Sequence, residues 1–352
     1  MRRFSWVVAV VLALSVSTVL SQRRGLKVLL LYDMEGVSGA VKPADVNFGT
    51  PSYPATRESL SEDVNAAIRG LIKGGATEVV ITDGHGSGNS DPDYLLDTLP
   101  KGARFDLRDV PYDPYVETLD KSFDAMVAVA MHGRAGGRAF LAHTYNGHTK
   151  WVMAGHDMNE SMLVAASAAR FDTPLVLVTG DDVLRDEIKA FSPEAEYVVV
   201  KKAISVFEAE PRTRAEVSAD VEAAAERALK NRSKIKPWRP KAISTGEFAN
   251  LYSYVLPEQA AVALNFPGAS VVDNKTVKIR ARSFLDAYLT FRALAGFTGY
   301  AAQRLMLTAM REMDGGPDLI RKAQEKLPSR ESRTFAPTGT TIERGFGKHG
   351  YR

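Results

Sequence analysis

Cysteine is absent from all 352 residues. That removes disulfides, thiolate metal sites, iron–sulfur clusters and cysteine nucleophiles together. Any metal site must draw on His, Asp, Glu and backbone oxygen. Histidine is scarce: His85, His132, His143, His148, His156 and His349 are all there are, so the placement of each carries information. Charge of one sign is lacking too. Lys+Arg 45 against Asp+Glu 42 leaves +3, and residues 328–352, with five basic and two acidic side chains, account for all of it. The body is near neutral, and no nucleic-acid partner is expected. With 45% hydrophobic and 25% charged residues, disorder along the whole chain and a polytopic membrane protein are both excluded.

The N-terminus is the exception. Arg2-Arg3 precede an uncharged, mostly apolar run over 4–20, and Val19-Leu20-Ser21 suits a cleavage site. Residues 1–21 are expected to be a signal peptide, with the protein exported to the periplasm or beyond. The alternative is an uncleaved N-terminal anchor, since 17 apolar-rich residues nearly span a bilayer.

In the body, short apolar runs at 27–32, 78–82, 124–131, 175–179 and 197–201 read as buried strands. Helical spacing appears at 58–73, 160–170, from 182, at 214–230 and at 283–295. Strands are also expected near 242–245 and 276–281. Asn146-Gly147 suggests a hairpin joining 140–145 to 150–153. The alternation predicts an α/β fold, a mostly parallel sheet flanked by helices with a C-terminal α+β subregion. The domain spans 22–312, and 313–352 reads as a disordered tail.

Chemistry collects where strands end: Asp33-Met34-Glu35-Gly36, Asp83-Gly84-His85-Gly86 and Met131-His132-Gly133. Ligands of open parallel sheets bind at the carboxyl ends of strands. Residues two apart on an extended chain face one side, so Asp33 and Glu35 share a crevice, and two such acids call for a cation. His143 and Glu160 are further candidates. Taken singly, each has a plainer reading. Asp33 and Glu35 suit a turn, Asp157 to Glu160 fits a helix capping box, and His156 rivals Glu160 as a ligand. Jointly, three carboxylates and two histidines suit two divalent ions, zinc before magnesium.

These residues carry a resemblance. Tyr32-Asp33-Met34-Glu35-Gly36-Val37-Ser38-Gly39, Asp83-Gly84-His85, His132 with His143, Asn159-Glu160, Val178-Thr179-Gly180-Asp181-Asp182 and Glu247-Phe248-Ala249-Asn250 together look like the DppA-type D-aminopeptidase family, peptidase family M55. The resemblance runs from about 25 to 299. It implies a zinc-dependent aminopeptidase acting on short peptides, with D-Ala-D-Ala-type peptides among them, through water activated by two Zn2+ per subunit. Asp33 would bridge the ions, Glu35 and His85 complete one site, and His132 and Glu160 the other. His143 would be the catalytic non-ligand histidine. The family also implies a homodecamer of two stacked rings. Gly84 and Gly86 depart from it, standing where the typical enzyme has serines. Two rival readings stay open: a two-metal phosphoesterase, with Arg134 and Arg138 as the nearest cations, and a non-catalytic exported peptide-binding protein.

Overall fold

The first strand, β1 (Leu26–Tyr32), is apolar at nearly every position because the sheet is covered on both faces. Val28, Leu30 and Tyr32 pack into one core and Leu29 and Leu31 into the other. The computed structural model describes residues 25–334, apart from 90, 107–114, 116–117, 148, 241–248, 254–263, 265 and 274–275. The expected signal peptide, the strand near 242–245, and Glu247 and Phe248 therefore lie outside the described residues.

The main sheet has the order β3-β2-β1-β4-β7-β8-β9. Its members are β2 (Ala76–Asp83), β3 (Ala103–Phe105), β4 (Ala125–Met131), β7 (Leu175–Asp181), β8 (Glu196–Ser205) and β9 (Glu208–Pro211). All pairings are parallel except that of β9, an antiparallel edge. The helices α1 (Tyr53–Lys73) and α4 (Arg214–Asn231) cover one face. On the other lie α2 (Glu160–Ala169), α3 (Asp182–Phe191) and the front of α5 (Phe284–Glu312). From β1 the chain runs outward through β2 and β3, then returns to place β4 on the other side of β1. The order reverses there, and a crevice opens at the carboxyl ends of β1 and β4.

A second, antiparallel sheet has the order β11-β12-β10-β5-β6. It joins β10 (Ala249–Ser253), β11 (Ala269–Asp273) and β12 (Thr276–Ile279) to β5 (Thr149–Met153) and β6 (His156–Asp157). This is the α+β subregion, but it recruits two strands from mid-chain. Trp151 of β5 anchors it against Tyr288 and Phe291 of α5.

Several local expectations are corrected. Residues 140–145 form a loop rather than a strand, and the hairpin is β5–β6, turning at Ala154-Gly155. Both turn residues have positive φ (53° and 80°), as a two-residue turn of this hand requires. Helix α1 starts at Tyr53, ahead of the expected 58, because Pro54 sits in the first turn, where its missing N–H costs nothing. Helix α5 runs on to Glu312 despite its glycines. A further helix, α6 (Gly316–Thr334), occupies the start of the segment read as a disordered tail. Asp318 in its first turn and Arg321 paired with Glu325 support it.

Candidate metal centre

The five residues expected to meet do meet. Asp33 and Glu35 leave β1, His85 follows β2, His132 follows β4, and Glu160 opens α2. Asp33, Glu35, His132 and Glu160 are at most 6% exposed, and the His85 side chain is 8% exposed.

Close backbone packing delivers them. Gly36 donates its N–H to the Ala130 carbonyl at 2.8 Å. A Cβ there would stand 2.1 Å from the Met131 carbonyl oxygen, so only glycine fits. The β4–β7 register shifts between Ala128 and Met131, and Ala130 takes φ 61°, with its N–H on Thr179 Oγ1 at 2.8 Å. Such a bulge redirects the side chains just beyond it, here His132. Leu141 (φ 51°) and Tyr145 (φ 67°) carry similar strain in the loop that brings His143 in.

Asp33 presents one oxygen to each neighbouring imidazole. Its Oδ1 lies 3.1 Å from His85 Nδ1, and its Oδ2 lies 3.3 Å from His132 Nε2. Glu35 Oε2 is 3.2 Å from His85 Nδ1, and Glu160 Oε1 is 3.3 Å from His132 Nε2. The remaining nitrogens are committed to carbonyls: His85 Nε2 donates to Val46 at 2.9 Å and His132 Nδ1 to Gly133 at 2.9 Å. This leaves Nδ1 of one ring and Nε2 of the other facing the acids.

Burial raises the carboxyl of Glu35, yet His85, His132 and His143 more than offset it and hold it well below the usual range. Glu160 is likewise lowered, by His132 against its burial. Burial lowers His85 and His132, but the acids around them raise both well above an ordinary imidazole. The centre therefore holds Glu35 and Glu160 anionic and draws positive charge between them. Three donor groupings converge within coordination reach: Asp33-Glu35-His85, Asp33-His132-Glu160 and Glu35-His132-His143. Glu35 Oε2 and His132 Nε2 are buried without any hydrogen bond. Orphaned donors of this kind, with carboxylate and imidazole chemistry, fit divalent cations.

His143 stands at the rim. Its Nε2 is 3.7 Å from Glu160 Oε1 and 4.0 Å from Glu35 Oε1, and its Nδ1 donates to the Leu141 carbonyl at 2.7 Å. The structure separates the remaining candidates from the centre. The ring of His156 packs against Trp238, 5.5 Å away. The capping box from Asp157 to Glu160 is not formed: Asn159 is the cap, accepting from Met162 N at 2.8 Å. Asp157 pairs instead with Arg134 and Lys150. Glu160 is thus free to turn inward, where Tyr145 N–H at 2.7 Å and the Tyr115 hydroxyl hold its two oxygens. Tyr115 and Tyr145 were not singled out by sequence. Neither sits in a motif, and only the fold brings them to Glu160.

A cavity of about 440 Å³ opens over the centre, walled besides by Asp83, Gly84, Gly86, Tyr115, Tyr145 and Asn146.

An α/β sheet with buried carboxylates and imidazoles at its switch point places this chain among the α/β proteins with a candidate divalent-metal site. A family model described as D-aminopeptidase, peptidase family M55, matches residues 26–293, so this chain belongs to that family of peptide-bond hydrolases. A D-aminopeptidase of Bacillus subtilis (strain 168) is 28% identical over 267 residues, covering 75% of this chain and 94% of the relative. A solved structure, the Zn-dependent D-aminopeptidase DppA from Bacillus subtilis, described as a self-compartmentalizing protease, aligns with TM-score 0.69 at 25% identity. It covers 77% of this chain and 97% of that one.

Proposed function

We propose that this protein is a dinuclear zinc aminopeptidase that removes the N-terminal residue from short peptides, those of D-Ala-D-Ala type included. One observation carries the reading: Asp33 offers its two oxygens to two different imidazoles, each also faced by one glutamate. That arrangement suits a bridging carboxylate between Glu35–His85 and His132–Glu160. The Zn-dependence of the similar Bacillus subtilis enzyme supports it. When bound, the two ions would polarise the scissile carbonyl and lower the pKa of water.

The chain's own residues supply the rest. His85 and His132 are locked by their carbonyl partners into the orientation a ligand needs. With its Nδ1 proton on the Leu141 carbonyl, His143 keeps Nε2 directed into the cavity. There it can take a proton from the attacking water, pass one to the leaving amine, or steady the developing oxyanion. Tyr115 and Tyr145 fix Glu160 from behind.

The phosphoesterase reading finds less support. Arg134 is engaged by Asp157 at 3.2 Å and lies near Glu187, and among the described residues no Lys or Arg lines the cavity. Export of the chain, through residues 1–21, and assembly into a homo-oligomer, a decamer of two rings, belong to the same proposal. The description of the similar structure as self-compartmentalizing favours assembly.

Metal analysis together with amino-acid release from D-Ala-D-Ala, L-Ala-L-Ala and a generic phosphate ester tests the function, with Asp33→Ala as control. Two zinc ions per chain and cleavage of the D-dipeptide are expected. Phosphate ester turnover, or tight peptide binding without cleavage in zinc-replete protein, would favour the rivals. Light scattering reads the assembly.

A further inference from the structure

Lys201 of β8 is 1% exposed and carries its amine into the core beneath the metal centre. An ammonium has three N–H donors, and here all three find main-chain carbonyls of one loop. They are those of Glu35, of Val37 at 3.0 Å and of Ala40 at 2.7 Å. The loop is also tied by Asp63 of α1, which accepts the Ser38 N–H at 2.8 Å and its hydroxyl at 3.0 Å. The ammonium also lies 4.4 Å from the ring centre of Phe140, whose N–H donates to Asp181 at 2.7 Å. Burial pulls the Lys201 ammonium down from 10.5 to about 7, against the opposing pull of the Asp181, Glu35, Asp63 and Asp45 carboxylates.

A methionine would fill the same volume without the cost of burying charge. What methionine lacks is the power to gather three carbonyls. Without it, those of Glu35, Val37 and Ala40 would need other partners, and the loop would be free to relax.

We propose that Lys201 is a positioning residue for the metal centre. By clamping the backbone of residues 35, 37 and 40 it fixes the direction of the Glu35 carboxylate, and so sets the affinity of the Glu35–His85 half. It touches neither substrate nor metal. This rests on the dinuclear reading above.

Zinc titration of the full chain tests it, with turnover and unfolding followed alongside. In Lys201→Met, one of the two ions binds about 10–100-fold more weakly while the other binds as in the parent. Excess zinc restores turnover with KM unchanged. Lys201→Gln, whose amide can donate to two carbonyls, recovers part of the affinity. Parental affinity for both ions in Lys201→Met overturns the inference. So does loss of both ions together, or failure of both variants to fold, because the lysine then serves the core alone. A parent chain that binds fewer than two ions overturns the dinuclear reading and this inference with it, and that result precedes any comparison of variants.

Discussion

The imidazole rings of His132 and His143 lie face to face, their centroids 3.9 Å apart and their planes 12° from parallel. The two rings nevertheless differ in access. The His132 side chain is 1% exposed, and that of His143 is 25% exposed at the cavity wall. In the proposed function the enclosed ring would hold an ion and the accessible one would meet a substrate. One donor grouping includes His143 as well, together with Glu35 and His132.

His143→Ala should keep both zinc ions and lose turnover by about 10²–10⁴-fold, the range for a general acid–base group. Metal content measured beside kcat checks this. Zinc lost in step with activity would make His143 a ligand.

Asp33→Ala should empty both halves of the centre, because its two oxygens face different histidines. His85→Ala removes a donor from one half only. Zinc stoichiometry separates the two: near zero for the first, about one per chain for the second. Equal losses would mean that Asp33 does not bridge.

Tyr115→Phe removes the hydroxyl that Glu160 accepts, leaving a buried carboxylate oxygen short of that donor. The expected cost is about 1–3 kcal/mol in stability of the metal-free protein. Zinc affinity should also weaken by about 10–100-fold. Chemical denaturation after chelation gives the first quantity and competition with a chelator the second.

Gly36→Ala should destabilise by about 1–3 kcal/mol or more, because the new methyl meets main-chain atoms of β4 rather than a movable side chain. A melting temperature equal to the parent's would show that β1 and β4 can separate at little cost.

Burial pushes the Asp63 carboxyl up from 3.8 to about 6, against its two bonds from Ser38. A folded-state value above the unfolded one means that the folded protein binds the extra proton between about pH 4 and 6. The contribution of Asp63 is then most favourable below pH 4 and falls as pH rises through 6. Asp63→Asn should remove that slope, gaining on the parent by up to roughly 3 kcal/mol across this window. Urea unfolding at stepped pH measures it, and parallel curves for the two proteins would refute it.

The site was legible in the sequence to the extent that its residues stand at strand ends. Asp33-x-Glu35, the histidine after β2 and the histidine after β4 follow directly from apolar runs that stop at polar residues. Glu160 was ambiguous between ligand and capping partner. Asn159 decided it by taking the cap itself, which depends on a β-hairpin placed differently from the one Asn146-Gly147 suggested. The loop over 140–145 could not be read as a loop, since its backbone at Leu141 and Tyr145 is stabilised by contacts distant in sequence. One is the Leu141 N–H on the Val206 carbonyl at 2.8 Å, and another is the Tyr145 N–H on Glu160 at 2.7 Å.

By itself the sequence determined the α/β class, the strand-end acids and imidazoles, and the exclusion of thiolate chemistry, because hydrophobic period and residue type are local properties. Only the tertiary structure decided which oxygen of Asp33 faces which ring, that Tyr115 backs Glu160, and that a lysine closing an apolar strand turns inward to clamp the loop beyond Glu35. Those outcomes depend on the order in which strands lie side by side. Chain neighbours do not record that order, since the hydrogen bonds and buried charges that fix it join residues up to 166 positions apart.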